Sequence, residues 1–304
     1  MDRRQFVGAT ILVILSVGIP APAAQPAKSW LGRRVLPKER CEISANGVVV
    51  NFRSLTFPLV VQSVNGPWLW VGDDKKGWVK SSQVVTLDEA VAYYTRLIAR
   101  RSDNAWAYNF RAVAWQEQGQ LDRAIADFSE KLRLVPTADS YANRGAVWQA
   151  KGEYHKAIDD YDRALGVNPN FHIAFAKRGD TWRAQDEYQK AIDDYNEAIR
   201  LDPNDSAAHD GLALLRASSP DEKYRDGAAA VRLATTACEL SGWTVADKLA
   251  TLAAAYAECG DFDQAVKYQQ KAIDRQGDDA DATSEARRRL QLYTEKQPFR
   301  ATAK

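Results

Sequence analysis

Histidine and cysteine are scarce in this chain, three of each in 304 residues, and no Cys-x-x-Cys or mixed Cys/His cluster with metal-ligand spacing occurs. Cys41, Cys238 and Cys259 cannot all pair within one chain, and they read as small buried apolar residues. His155, His172 and His209 stand apart with no serine or cysteine nucleophile placed beside them, and no glycine-rich phosphate loop is present. Enzymatic chemistry, a cofactor and a bound metal are therefore not expected. A charge excess is lacking too: 41 basic residues face 40 acidic ones, which leaves no whole-chain field to draw in nucleic acid. Nor is there a long apolar run. The longest, Val7–Ile19, has 13 residues, short of the roughly 20 that a spanning helix needs.

That short run has a context. Arg3 and Arg4 precede it and Pro20-Ala21-Pro22-Ala23-Ala24 comes after it, the charged, apolar, small-residue order of a signal peptide with cleavage after Ala23 or Ala24. Arg3-Arg4-Gln5-Phe6-Val7 also resembles the twin-arginine export motif, and the general secretory route is the equal alternative. Residues 1–24 are thus expected to be a leader on an exported bacterial protein, periplasmic or extracytoplasmic. Membrane contact would arise only through this segment if it stayed uncleaved.

Charge then divides the remainder. Residues 27–86 hold nine Lys/Arg against four Asp/Glu, and residues 87–304 hold 30 against 35, which supports a domain boundary near residue 86. Within 30–86 the pattern is of about five short β-rich runs: Gly47–Phe52, Pro58–Val64, Trp68–Val71, Gly77–Val79 and a closing run at Val84-Val85, with Asn65-Gly66 as a hairpin signal. A small barrel or sandwich is expected. Trp68-Leu69-Trp70, the Gly72-Asp73-Asp74 turn and Gly77–Val85 resemble the second half of a bacterial SH3-like domain. Lys80 and Gln83 stand where the eukaryotic family carries its groove proline and tyrosine, so a polyproline ligand is not implied. Trp68 and Trp70 share one strand face, and they either pack under the helix that begins at Leu87 or stack on a ligand; packing is the reading preferred here.

From Leu87 onward the chain repeats itself. Gln118–Ile125, Lys151–Ile158, Gln185–Ile192 and Cys259–Val266 align, the first three at spacings of 33 and 34 residues. Counting units from Ala105, Ala138, His172 and Ala246, the eighth position reads Ala112, Gly145, Gly179 and Ala253, and the twentieth reads Ala124, Ala157, Ala191 and Ala265. Small residues at both places let two antiparallel helices cross closely. The eleventh position is always large and aromatic: Trp115, Trp148, Trp182, Tyr256. Pro136, Pro169 and Pro203 close the first three units. This pattern resembles the tetratricopeptide repeat family over residues 87–276, and the resemblance implies a helical solenoid.

The fold class expected is therefore α + β in two domains, an SH3-like barrel at 30–86 followed by an α-α superhelical array. Its parts are a leading helix at 87–102, units at 105–137, 138–171, 172–205, a degenerate 206–242 and 246–277, and a capping helix and frayed tail at 283–304. Asp159-Asp160 and Asp193-Asp194 recur at one repeat position and read as helix-surface charge.

In such an array the first helices line the concave face, at positions 2, 5, 6, 9, 12 and 13 of each unit. These give Trp106, Asn109, Gln116 and Glu117 in the first unit, Asp139, Asn143 and Gln149 in the second, and Lys177, Asp180 and Arg183 in the third as the candidate ligand-binding residues. Polar groups of long reach suit an extended peptide whose backbone needs partners. The two-carboxylate clamp that some family members use is matched at Asn143 only, with Asn109, Val113 and Ile173 at its other positions. The expected function is a non-enzymatic scaffold of the cell envelope that binds a protein or peptide. The alternative is a peptidoglycan-binding protein in which the β domain grips the cell wall and the array is a spacer.

Overall fold

The computed structural model describes residues 30–39, 41, 43–45, 48–50, 57–71, 77–276 and 280–301, and its chain divides into two units between Val84 and Val85. The leader segment 1–24 and the Gly72–Lys76 turn lie outside the described residues.

Among the described residues seven strands form a single sheet: β1 (Arg34–Pro37), β2 (Ile43–Ala45), β3 (Val48–Val50), β4 (Leu59–Asn65), β5 (Trp68–Val71), β6 (Gly77–Lys80) and β7 (Val84–Thr86). Their order is β3-β2-β6-β5-β4-β1-β7, an open arrangement among the described residues rather than the closed barrel expected. Two strands had no signal in the sequence: β1 and β2 are four and three residues long, too short for a period of two to stand out. Alternation holds in the longer strands. Leu59 and Val61 on β4 and Leu69 and Val71 on β5 are buried beside Val35, Ile43 and Val79. The tryptophans take the opposite face, where Trp70 meets its cross-strand partner Trp78 edge-on at 5.2 Å, and Lys80 lies 5.2 Å from the ring of its partner Trp68.

The hairpin sits one residue later than Asn65-Gly66 suggested. Asn65 pairs with Trp68, so the loop is Gly66-Pro67, and of these only Gly66 has a positive φ, +56°. Proline locks its own φ near −65° and cannot take the second position of a type I′ turn. Glycine first and a residue of negative φ second is the type II′ preference.

The second unit is a solenoid of twelve helices among the described residues. A leading helix α1 (Leu87–Arg100) precedes five pairs: α2 (Ala105–Glu117) with α3 (Leu121–Leu134), α4 (Ala138–Ala150) with α5 (Tyr154–Val167), α6 (His172–Ala184) with α7 (Tyr188–Leu201), α8 (Ser206–Ser218) with α9 (Gly227–Leu240), and α10 (Ala246–Glu258) with α11 (Phe262–Gln276). Helix α12 (Ala280–Thr294) closes the series. The turns inside units one, two and five each need one residue of positive φ, met by Gly119, Gly152 and Gly260, and in unit three Asp186 takes that conformation at φ +60°.

Small residues at the crossings are fully used. Ala112, Ala124, Ala157, Ala191, Ala253 and Ala265 are wholly buried, and a Cβ placed on Gly145 would stand 2.8 Å from the Tyr161 ring. Each aromatic at position 11 of units one to three is roofed by a cation eight residues on: Arg123 over Trp115 at 4.6 Å, Lys156 over Trp148 at 4.6 Å, Lys190 over Trp182 at 4.4 Å. In unit five position 19 is Gln264, and Tyr256 stacks on Tyr268 instead, 5.6 Å away.

The repeated aspartate doublets are not both helix-surface charge. Only Asp159 and Asp193 are exposed; Asp160 and Asp194 are buried. Each takes two bonds of 2.7 to 2.8 Å from an arginine at position 7 of its own unit, Arg144 and Arg178, and Arg111 holds Asp127 in the same way. The third arm of each arginine reaches back to the preceding second helix, to Thr95 on α1, Ser129 on α3 and Asp162 on α5. An arginine therefore fastens three helices at once. In units four and five the corresponding places hold Leu212 against Leu233 and Leu252 against Tyr268.

Of the cysteines, Cys259 is exposed at the end of α10, unlike buried Cys41 and Cys238. The C-terminal stretch is also not frayed where described: Phe299 is buried, Arg300 pairs with Glu258 at 2.6 Å, and the Ala301 amide donates to the Ser218 carbonyl at 2.8 Å.

Candidate functional site

First helices pack on their counterparts in neighbouring units, α4 on α6, α6 on α8 and α8 on α10, whereas no two second helices pack comparably among the described residues. Closer spacing on one side bends the stack, so the first helices lie on its inner face.

The residues expected to bind a ligand fall into three groups on that face. In unit one, Trp106 is half-buried in an aromatic cluster, 5.6 Å from Tyr94 of α1 and 5.0 Å from Phe110. Its ring is engaged in seating α1. Asn109 accepts a 2.6 Å bond from the Lys131 ammonium. Burial pushes Lys131 down to about 8, and Asp139 across the unit boundary pulls the other way. Gln116 is half-buried, as is Glu117.

In unit two, Asp139 and Asn143 are exposed, and Gln149 accepts from the buried Tyr161 hydroxyl at 3.0 Å. In unit three, Lys177 is half-buried. Asp180 and Arg183 are one turn apart and share a support: the wholly buried Tyr195 of α7 donates to Asp180 at 2.7 Å, and Arg183 Nε lies 3.4 Å from the same hydroxyl. Burial first, and then the Asp180 charge, hold the Tyr195 phenol far above its ordinary range, so it stays a donor.

Two acidic groups escaped the sequence reading. Asp210 on α8 sits at position 5 of unit four, and its Oδ1 is buried with no hydrogen-bond partner. Burial pushes its carboxyl up to about 6; Thr251 and Lys248 pull it down, and Asp247 and Asp180 push it further up. Glu258 closes α10 at position 13 of unit five, accepts a bond from Arg225 at 3.0 Å and forms an ion pair with Arg300, 2.6 Å away. Continuing the count of units one to three through unit four, from Ser206, would have found Asp210; the enlarged loop after Ser218 hid the unit's register.

A cavity of about 230 Å3 opens beside this face, lined by Arg183, Asp186, Tyr188, Ser218, Ser219 and Ala301 among others. A larger one of about 300 Å3 involves second helices, with Asn196 of α7 and Arg232 and Thr236 of α9 in its wall. Among the described residues no three His, Cys, Asp or Glu side chains are placed to share a metal ion. His172 instead bonds Asp205 at 2.8 Å, and His209 bonds the Pro203 carbonyl at 3.0 Å.

Family models described as tetratricopeptide repeat match residues 87–139, 138–171, 172–205 and 245–277, which together cover half of the chain. No curated protein sequence matches it. Among solved structures, the APC/C hetero-tetramer Cut9–Hcn1 is similar at a TM-score of 0.58 and 18% identity, over 67% of this chain and 39% of that one. Yeast Tom70 is similar at 0.55 and 17%, over 67% of this chain and 43% of that one. A thermophilic repeat protein of Thermus thermophilus, TTC0263, is similar at 0.53 and 16%, over 62% of this chain and all of that one.

Proposed function

Because the chain belongs to the tetratricopeptide repeat family, whose members are generally protein–protein interaction scaffolds, we propose that it binds an extended peptide or protein segment along its first-helix face, as a non-enzymatic scaffold of the bacterial cell envelope. The observation that carries this is the unit-three group. Asp180 and Arg183 are fixed from beneath by a buried tyrosine, yet their side chains remain 39% and 34% accessible. Rigid, partly desolvated charges of both signs are what a peptide backbone and its side chains need to gain affinity without a large ordering cost. Asn143 and Lys177 extend the polar row into unit two and along α6. The leader-like order of residues 1–24 supports export, and the aromatic strand and closing turn of the front sheet support an SH3-like reading of that domain.

The test is capture from bacterial envelope extract by the purified mature protein beside a variant carrying Asn143→Ala, Lys177→Ala and Arg183→Ala. The expected outcome is a protein retained by the first and lost by the second at unchanged helicity. If both sediment equally with purified sacculi, and Trp68→Ala abolishes that, the scaffold reading falls and cell-wall binding by the front sheet replaces it.

A further inference from the structure

The C-terminal stretch crosses the first-helix face in a manner that resembles a bound peptide. After α12 the chain reverses at Lys296, whose φ is +56°, and the Gln297 amide donates to the Leu292 carbonyl at 2.8 Å. From there the segment carries no helix or strand. Phe299 is 9% exposed, set against Ala253 and Ala257 of α10, Ala265 of α11 and Tyr293 of α12, with the Arg289 guanidinium 4.0 Å above its ring. Arg300 is held by Glu258 at 2.6 Å, and the Ala301 amide bonds the last carbonyl of α8 at 2.8 Å.

These contacts use three separate modes of peptide recognition: an aromatic anchor in an apolar pocket, an ion pair, and a main-chain bond to an open helix end. Their receptors are also regularly placed. Ser218 and Glu258 are both position 13 of their units, and Ala257 is position 12. The same row reaches Arg183, position 12 of unit three, across the cavity that begins where Ala301 ends.

We propose that Gln297–Ala301 is a built-in ligand, and that the channel between α8, α10 and α12 accepts in its place an extended partner segment carrying an aromatic residue followed directly by an arginine. This rests on the first-helix face being the binding face. Glu258 makes exchange feasible: Arg225 bonds it independently of the tail, so withdrawal of Arg300 does not leave a buried carboxylate unpaired. The Phe299 pocket, emptied, exposes apolar surface and so favours refilling by a similar side chain.

The test uses the full chain and a fluorescein-labelled synthetic peptide with the sequence of residues 296–304, followed by anisotropy. The chain carrying Phe299→Ala and Arg300→Ala is expected to bind the peptide at least tenfold more tightly than the unaltered chain, whose own tail competes. Adding Glu258→Gln should weaken that binding at least tenfold, and a peptide with alanine for the phenylalanine should not bind. Equal affinity for the unaltered and tail-altered chains, or no binding to a tail-altered chain that circular dichroism shows folded, overturns the proposal and leaves the tail a fixed cap. Should the double variant fail to fold, Arg300→Glu alone keeps the aromatic anchor and is expected to raise peptide affinity severalfold; no rise overturns the proposal equally. Loss of this result leaves the capture experiment on Asn143, Lys177 and Arg183 standing, since those residues lie in units two and three.

Discussion

Asp210 shows how a single side chain can carry information about a site. Its carboxyl is pushed up to about 6 by burial, well above the ordinary value near 3.9. Between about pH 4 and pH 6 the folded protein therefore holds a proton that the unfolded chain has released, so stability falls as pH rises through that window and stays reduced above it. Asp210→Asn removes the penalty. The variant is expected to be more stable than its parent at pH 7, on the order of 1–2 kcal/mol, and to lose that advantage near pH 4. Urea unfolding at the two pH values checks this; equal midpoint shifts at both would show the carboxyl to be ordinary. At this scale legibility was uneven. The small residues at positions 8 and 20 were plain, because Gly145 or Ala157 has no other reason to recur. Asp160 was not, because an Asp-Asp doublet on a helix does not reveal which member turns inward. The informative sign was the arginine recurring at position 7, Arg111, Arg144 and Arg178, sixteen residues before each buried aspartate.

Between helices, that arginine is the fastening. Removing it leaves a carboxylate in the core without its partner, and this is where the large costs lie. Arg144→Ala is expected to destabilise the protein by about 3–5 kcal/mol, whereas Arg144→Leu with Asp160→Leu recovers most of that loss. The reasoning is internal to the chain: unit four already closes the same place with Leu212 and Leu233. Denaturant unfolding of both variants decides it, and a double variant as weak as the single one would refute the argument. In the array, helices begin at Ala105, Ala138, His172 and Ala246, the residues from which the repeat was counted. Helix α12, expected within the closing segment 283–304, runs from Ala280 to Thr294. The sheet was harder. Its strands β1 to β3 have four residues or fewer, and pairing between segments remote in sequence leaves no local trace.

Across the whole molecule, the sequence disclosed the helical architecture but not the path of the C-terminal stretch. A buried Phe299 and a paired Arg300 depend on surfaces that exist only once α8, α10 and α12 are stacked, so no local pattern could announce them. The candidate site was likewise legible as a row of positions and illegible as a network, because Tyr195 acts on Asp180 and Arg183 from another helix.

The change from Arg–Asp closures in units one to three to apolar closures in units four and five also sets how the array answers temperature. On warming, apolar stabilisation per unit area levels off, while the desolvation penalty of an ion pair goes on falling. Neighbouring units in a solenoid share stability only across their interfaces, so the two halves need not melt together. Hydrogen exchange at about 25 °C and 45 °C, corrected for intrinsic rates, should show protection lost on warming in α8–α11 before α2–α7; uniform loss would mean the interfaces override the difference. The array then has a heat-resistant end and a heat-sensitive end, and the tail that crosses α8 and α10 lies on the one that warmth loosens first.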